Sequence, residues 1–168
     1  YYLSPDGKNS PHPIVTTGKL NLIRPRPLKN LNKETQLIAY CLMPNHYHLL
    51  LKQNTIDGMT KLLRRVVTTY SLYFNRRYKR VGPLFQGRYK ATRIEDQAGL
   101  LYLSRYIHLN PLGVVTRSDL VTYPYSSYPY FLRLKMADWL HPEEILTLTH
   151  HYQDFVEKSP KDQEPDLW

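Results

Sequence analysis

Met43-Pro44-Asn45-His46-Tyr47-His48-Leu49-Leu50-Leu51 is the stretch on which the reading of this chain turns. A short apolar run, residues 37–42 with Cys41 in it, comes before, and Lys52 and Gln53 come after. Two such runs separated by Pro44-Asn45 read as two strands joined by a tight connection. Side chains alternate faces along a strand, so a strand over residues 46–53 puts His46 and His48 on one face and Tyr47 and Leu49 on the other. Two imidazoles side by side on a stiff element can grip one divalent metal ion. A bare His-x-His pair is more often a polar strand face, so the rest of the chain has to decide between the two.

The sequence has 168 residues and a formal net charge of +9, enough length for one domain with a sizeable core. A basic chain of this size most often meets nucleic acid, less often an anionic membrane surface. No apolar run reaches membrane-spanning length and no secretory signal pattern opens the chain, from which we expect a protein with no membrane partner. The single cysteine excludes an internal disulfide framework and fits a reducing, cytoplasmic compartment. The 15 tyrosines can serve either as core or as platforms for bases. The chain opens at Tyr1 rather than at methionine, so we expect residues ahead of it in the natural protein.

Working outward, residues 1–36 carry little periodicity. Ser4-Pro5-Asp6-Gly7 is turn chemistry, Pro11, Pro13, Pro25 and Pro27 punctuate the rest of the segment, and Leu20 to Ile23 reads as a short strand. We read residues 1–36 as an irregular arm or insertion. After the histidine strand, Leu62, Leu63, Val66, Val67, Tyr70, Tyr73 and Phe74 recur at helical spacing and predict a helix over residues 60–80, stopped by Val81-Gly82-Pro83. Residues 85–94 alternate enough to predict another strand.

From Gly58 to Ile94 there is no acidic residue and there are ten basic ones: Lys61, Arg64, Arg65, Arg76, Arg77, Lys79, Arg80, Arg88, Lys90 and Arg93. A solvated helix face usually mixes signs to avoid self-repulsion. One sign running through helix, turn and strand reads as a surface that tracks phosphates, with Tyr78, Phe85 and Tyr89 interleaved for stacking.

Glu95-Asp96 opens a second helix, whose apolar side is Leu100, Leu101, Leu103, Ile107 and Leu109. Asn110 precedes Pro111 and is expected to leave the helical region. Residues 123–128 form a turn-rich anchor, with Ser126 or Ser127 capping a short helix. His141-Pro142-Glu143-Glu144 starts a C-terminal helix through about residue 157, followed by a polar tail. We therefore divide the chain into an arm at 1–36, a core at 37–135 and a C-terminal helix and tail at 136–168.

Tyr102, Tyr106 and Asn110 lie four residues apart and share a helix face. Asn110 offers a neutral amide oxygen that can join two imidazoles around Mg²⁺ or Mn²⁺. Tyr106, one turn away, would lie beside that ion, where a phenol facing a polarised phosphodiester is a possible nucleophile. A helical tyrosine alone is nearly always packing, which is how we read Tyr102.

The run from Met43 to Leu51 resembles the HUH motif, two histidines around a bulky residue, of single-tyrosine HUH transposases. Phe85-Gln86-Gly87-Arg88-Tyr89-Lys90, Arg105-Tyr106-Ile107-His108-Leu109-Asn110-Pro111 and the Tyr123 to Tyr128 segment are similar to the same family, over about residues 37–132. The branch that the chain resembles most is the REP-associated tyrosine transposases, which act on palindromic repeats in bacterial chromosomes. The resemblance implies an α+β, ferredoxin-like sandwich: an antiparallel sheet that carries the histidines and helices on one face, the HUH endonuclease fold, with a C-terminal helical extension. It implies a divalent metal held by His46, His48 and Asn110, and Tyr106 as the nucleophile on single-stranded or hairpin DNA. Attack gives a 5′-phosphotyrosine and a free 3′-hydroxyl able to rejoin strands. It also implies a bacterial, nucleoid-associated protein, monomeric or homodimeric. Two other readings stay open: a replication-initiator or relaxase-like nickase, and a non-catalytic module binding single-stranded nucleic acid.

Overall fold

The structure is a computed structural model that describes residues 30–158. The expectations for residues 1–29 and for the polar tail lie outside the described residues. The architecture is α+β, a two-stranded antiparallel sheet accompanied by helices. The described chain divides into two compact units, residues 30–35 with 53–89, and residues 36–52 with 90–158.

Strands β1 (Thr35–Leu42) and β2 (Tyr47–Gln53) form the hairpin read from the sequence. The Met43 N–H donates to the His46 carbonyl at 2.8 Å and closes the four-residue connection through Pro44-Asn45. Beyond β2, β1 pairs with two later segments. The Leu42 N–H reaches the Tyr125 carbonyl at 2.8 Å, the Ser127 N–H reaches the Tyr40 carbonyl at 2.9 Å, and the His141 N–H reaches the Leu37 carbonyl at 2.9 Å. These bonds supply the isolated bridges Cys41 to Ser126 and Leu37 to Leu140. A strand so enclosed can be apolar on both faces, which is why Leu37, Ile38, Ala39 and Cys41 are all buried.

In the second unit, Ile38, Ala39, Cys41 and Leu50 from the hairpin meet Ile107 and Leu109 of helix α2 (Gln97–Leu109). Tyr128 and Phe131 of α3 (Tyr128–Phe131), Ile145 of α4 (Glu143–Leu146), and Tyr152 and Val156 of α5 (Tyr152–Glu157) complete this core. At about 1.5–3 kcal/mol for each fully buried large aliphatic or aromatic side chain, that cluster is the main apolar contribution to the unit. Asp96 caps α2, its carboxylate accepting the Gly99 N–H at 2.6 Å, as the position of the acidic pair suggested.

In the first unit, helix α1 is Gly58–Arg77. It begins at glycine because a Cβ there would collide with the Glu34 carbonyl and the Thr35 hydroxyl. The apolar stripe is buried only near its start, at Leu62 and Leu63, while Val66, Tyr70 and Tyr73 are 40–48% exposed and Leu72 is 67% exposed. Tyr70, Tyr73, Phe74, Tyr78 and Phe85 instead pack their rings against one another, the closest pair being Phe74 and Tyr78 with centroids 4.4 Å apart.

Three expectations are corrected. Residues 85–94 do not form a strand. Gly87 takes φ +82, which breaks the pleat, and Arg88 to Arg93 are exposed throughout, so alternation had no face to bury. The single C-terminal helix is two short ones, α4 and α5, parted at residues 147–151, where His151 has φ −119 and ψ 59. Thr147 and Thr149 are β-branched and weak helix formers, and Ile145 and Tyr152, on either side of the break, are both in the core. Asn110 does not leave the helical region. It has φ −52 and ψ −39 and carries α2 into a 3-10 turn, Asn110–Gly113. Pro111 is buried there and accepts the Val114 and Val115 N–H groups, a tertiary anchor that outweighs the local preference before proline.

His108 is fully buried, and burial pushes its imidazole pKa down to about 3. In the unfolded chain an ordinary histidine titrates near 6.5, so the unfolded state binds the extra proton between those values and stability rises with pH. Urea unfolding followed at successive pH values should show stability falling below about pH 6.5, by up to about 1.4 kcal/mol per pH unit from this group. His108→Gln should be less stable at pH 7 and lose that part of the slope; an unchanged slope would show that other groups set the acid limit.

Candidate active site

His46 and His48 stand at the start of β2, His46 ending the turn and His48 inside the strand. Their rings are 4.9 Å apart, edge to face. The His46 Nδ1–H is satisfied by the Asn45 side-chain oxygen at 2.7 Å, which leaves Nε2 as the free nitrogen of that ring. Asn45 belongs to the turn and orients His46, a role that sequence reading missed although the residue is adjacent. Burial, then the neighbouring His46, lower the His48 pKa below the ordinary imidazole value, while a hydrogen bond from the imidazole to the Asn110 side chain opposes them. A neutral imidazole presents a lone pair, the form that ligates metal.

Tyr106 and Asn110 come to the same place from α2. The Tyr106 ring lies edge-on to His48, with centroids 5.4 Å apart. Asn110 follows one turn later, and its Nδ2 donates to the Tyr106 carbonyl at 3.3 Å. The four residues that spacing singled out, His46, His48, Tyr106 and Asn110, are thus brought together within the second unit. Tyr102 is not among them. Its ring takes the Arg105 guanidinium at 4.7 Å, and the Phe155 ring takes the same guanidinium at 4.8 Å. Arg105 is buried, a cation absorbed by stacking that periodicity could not have distinguished from a surface arginine.

The side chains present fit a divalent ion. The His48 Nε2 is buried with no hydrogen-bond partner, an arrangement costly enough to call for an explanation. Among the described residues no cluster of three or more His, Cys, Asp or Glu side chains could hold a metal; beside the two imidazoles, Asn110 offers a neutral amide oxygen.

Of the ten basic residues, nine are exposed and Arg65 is half-buried. Eight, from Lys61 to Arg88, belong to the first unit, and Lys90 and Arg93 to the second. Lys61 is not wholly available, since its Nζ pairs with Glu34 at 2.7 Å. Arg80 stacks over Phe74 at 5.7 Å, a cation joined to the aromatic group at the end of α1. Among the described residues, no helix is long and apolar enough to cross a membrane.

Residues 29–110 match the family model described as "Transposase IS200 like". The matched span opens just ahead of β1 and closes on Asn110, so it takes in both histidines, the tyrosine and every member of the basic run. No curated protein and no solved structure matches the chain. Over residues 29–110, the chain is similar to the IS200-like transposase family.

Proposed function

We propose that this protein is a metal-dependent endonuclease and strand transferase for single-stranded or hairpin DNA, with Tyr106 as its nucleophile, of the REP-associated branch. The observation that carries the reading is the meeting of the Tyr106 ring and the Asn110 side chain on one imidazole, His48. Similarity to a transposase family over residues 29–110 supports it, since such enzymes are generally metal-dependent and act on DNA. The same reading gives the chain a ferredoxin-like sandwich with a C-terminal helical extension.

In this mechanism His46, His48 and Asn110 would hold a Mg²⁺ or Mn²⁺ ion, and such an ion would supply Lewis-acid stabilisation of the charge that builds on the phosphate oxygens. The protein supplies placement. A phenol is a weak nucleophile at neutral pH, so its oxygen must be presented in line with the bond to be broken, and the rigid helix α2 does this. The Tyr106 oxygen gives up its proton and bonds to phosphorus, the bond from phosphorus to the 3′-oxygen breaks, and that oxygen gains a proton. A 5′-phosphotyrosine and a free 3′-hydroxyl result, and reversal of the step rejoins strands. Arg64, Arg76, Arg77, Lys79, Arg80 and Arg88 hold the phosphate backbone in the first unit, with Lys90 and Arg93 in the second.

Tyr106→Phe removes only the attacking oxygen. It should fold and bind hairpin DNA like the parent, yet form no covalent protein–DNA adduct on a denaturing gel, whereas Tyr102→Phe should form it. Adduct formation by Tyr106→Phe would end the reading, and cleavage by both variants without an adduct would make water the nucleophile.

His46→Ala and His48→Ala should each abolish cleavage of a labelled hairpin while leaving most of its binding intact. Asn110→Ala should be milder, because water can replace one neutral oxygen donor. Parental turnover in either histidine variant would remove the metal site from the account.

Affinity for single-stranded DNA should fall steeply with salt. Changing Arg76, Arg77 and Arg80 to glutamate should lower it further, and each phosphate that the variant no longer neutralises should flatten the salt slope by about 0.7. A filter-binding series in which the triple variant keeps the parental slope would take phosphate binding away from that end of α1.

A further inference from the structure

The most fully engaged buried group that the proposed chemistry leaves unused is His108, between Tyr106 and Asn110 in sequence. Its Nδ1 lies 2.7 Å from the Tyr152 hydroxyl of α5 and its Nε2 lies 2.7 Å from Ser127 Oγ. The bonds continue outward at both ends, and the proton count orders them. The Ser104 hydroxyl donates to the Leu101 carbonyl at 2.6 Å, so its oxygen accepts the Tyr152 O–H at 3.0 Å. With that proton committed, the Tyr152 oxygen accepts from His108 Nδ1–H. A neutral imidazole has one N–H, so Nε2 is the acceptor and the Ser127 O–H points to it. Ser127 Oγ in turn accepts the Tyr40 backbone N–H of β1 at 2.8 Å. The competing direction, from Ser127 to the Tyr40 carbonyl, is longer at 3.1 Å. Tyr40 N–H, Ser127, His108, Tyr152, Ser104 and the Leu101 carbonyl thus form one chain in which each donor meets one acceptor.

We propose that this chain, with His108 held as its Nδ1–H tautomer, is the latch that fixes the rotation of α2 against β1, and that His108 is therefore a positioning residue for Tyr106 and Asn110. Ser104 and His108 lie one turn apart on one face of α2, and Tyr106 and Asn110 lie one turn apart on the face about 200° away. Anchoring two points on the inner face sets where the outer face points. Apolar packing alone is non-directional and would permit a small roll of the helix, whereas hydrogen bonds weaken steeply when misaligned. β1 also ladders to β2, the strand that carries His48, so the latch links both elements of the site through bonded contacts. This role rests on the metal site proposed above.

Two measurements test it. Long-range ¹H–¹⁵N spectra of the labelled full chain, without metal or DNA, should report His108 as the Nδ1–H tautomer; an Nε2–H signal would overturn the ordered chain. Mn²⁺ titration by calorimetry should then show Tyr152→Phe, which keeps the ring but breaks the chain at its centre, binding about tenfold more weakly than the parent. Tyr128→Phe is the control. It removes another phenol, one that donates to Glu157 of α5 at 2.8 Å but stands outside the chain, and it should bind Mn²⁺ like the parent. Parental affinity in Tyr152→Phe, or equal losses in both variants, would reduce the network to ordinary core packing. If Tyr152→Phe does not fold, Ser127→Ala breaks the chain at its other end and is judged by the same outcomes. A parent that binds no Mn²⁺, or binds it equally well as His48→Ala, would bring down the metal site itself, a result distinct from failure of the latch.

Discussion

Strand β1 is held by backbone hydrogen bonds to three parts of the chain, and the rest of the second unit is built on that constraint. β2 ladders to it through the hairpin, while residues 125–127 and 140–141 reach it from far along the sequence. Donors and acceptors satisfied in this way allow a strand to be buried without leaving orphan polar groups, each of which would cost about 1–3 kcal/mol. A buried β1 in turn gives α2 a fixed surface to pack on through Ile107 and Leu109. The positions of the two histidines and of the tyrosine therefore share one reference element.

Hydrophobic pattern and turn chemistry made the hairpin and α2 legible in the sequence, because in both cases local preference and tertiary burial agree. Pro44-Asn45 does turn the chain, and Asp96 does cap the helix. Disagreement arose where tertiary context overrode a local pattern. Residues 85–94 alternate, but a strand also needs a bonded neighbour, which no periodicity reveals. Residues 143–157 have apolar positions at helical spacing, yet the helix breaks between Ile145 and Tyr152, both of which lie in the core. At Asn110 a buried Pro111 held a conformation that the dipeptide alone disfavours.

The candidate site was more legible than its supports. A period of two brought His46 and His48 to one place, and a period of four did the same for Tyr106 and Asn110. The contact between those pairs is tertiary, and ligand chemistry together with the family resemblance was what joined them beforehand. Asn45, Arg105 and the bonds around His108 left no such trace, because hydrogen-bond partners many residues apart have no spacing rule. The aromatic content divides in a similar way. Tyr128 and Tyr152 are core, while Tyr70, Tyr73 and Tyr78 are 46–60% exposed, a distinction that depends on burial rather than on residue type.

The span between Tyr40 and Ser127 is 87 residues, whereas the turn that aligns His46 with His48 closes within four. Hairpins form in about 1–10 μs, but contacts across so long a loop wait for the loop-closure entropy to be met, and on a ribosome they wait for the later segment to be made. The two imidazoles can therefore be side by side long before α2 is pinned and the phenol is in line. A chain not yet synthesised as far as Ser127 lacks the bonds that run from His108 through Ser127 to β1. Under the proposed chemistry, strand cutting requires the whole second unit to have closed.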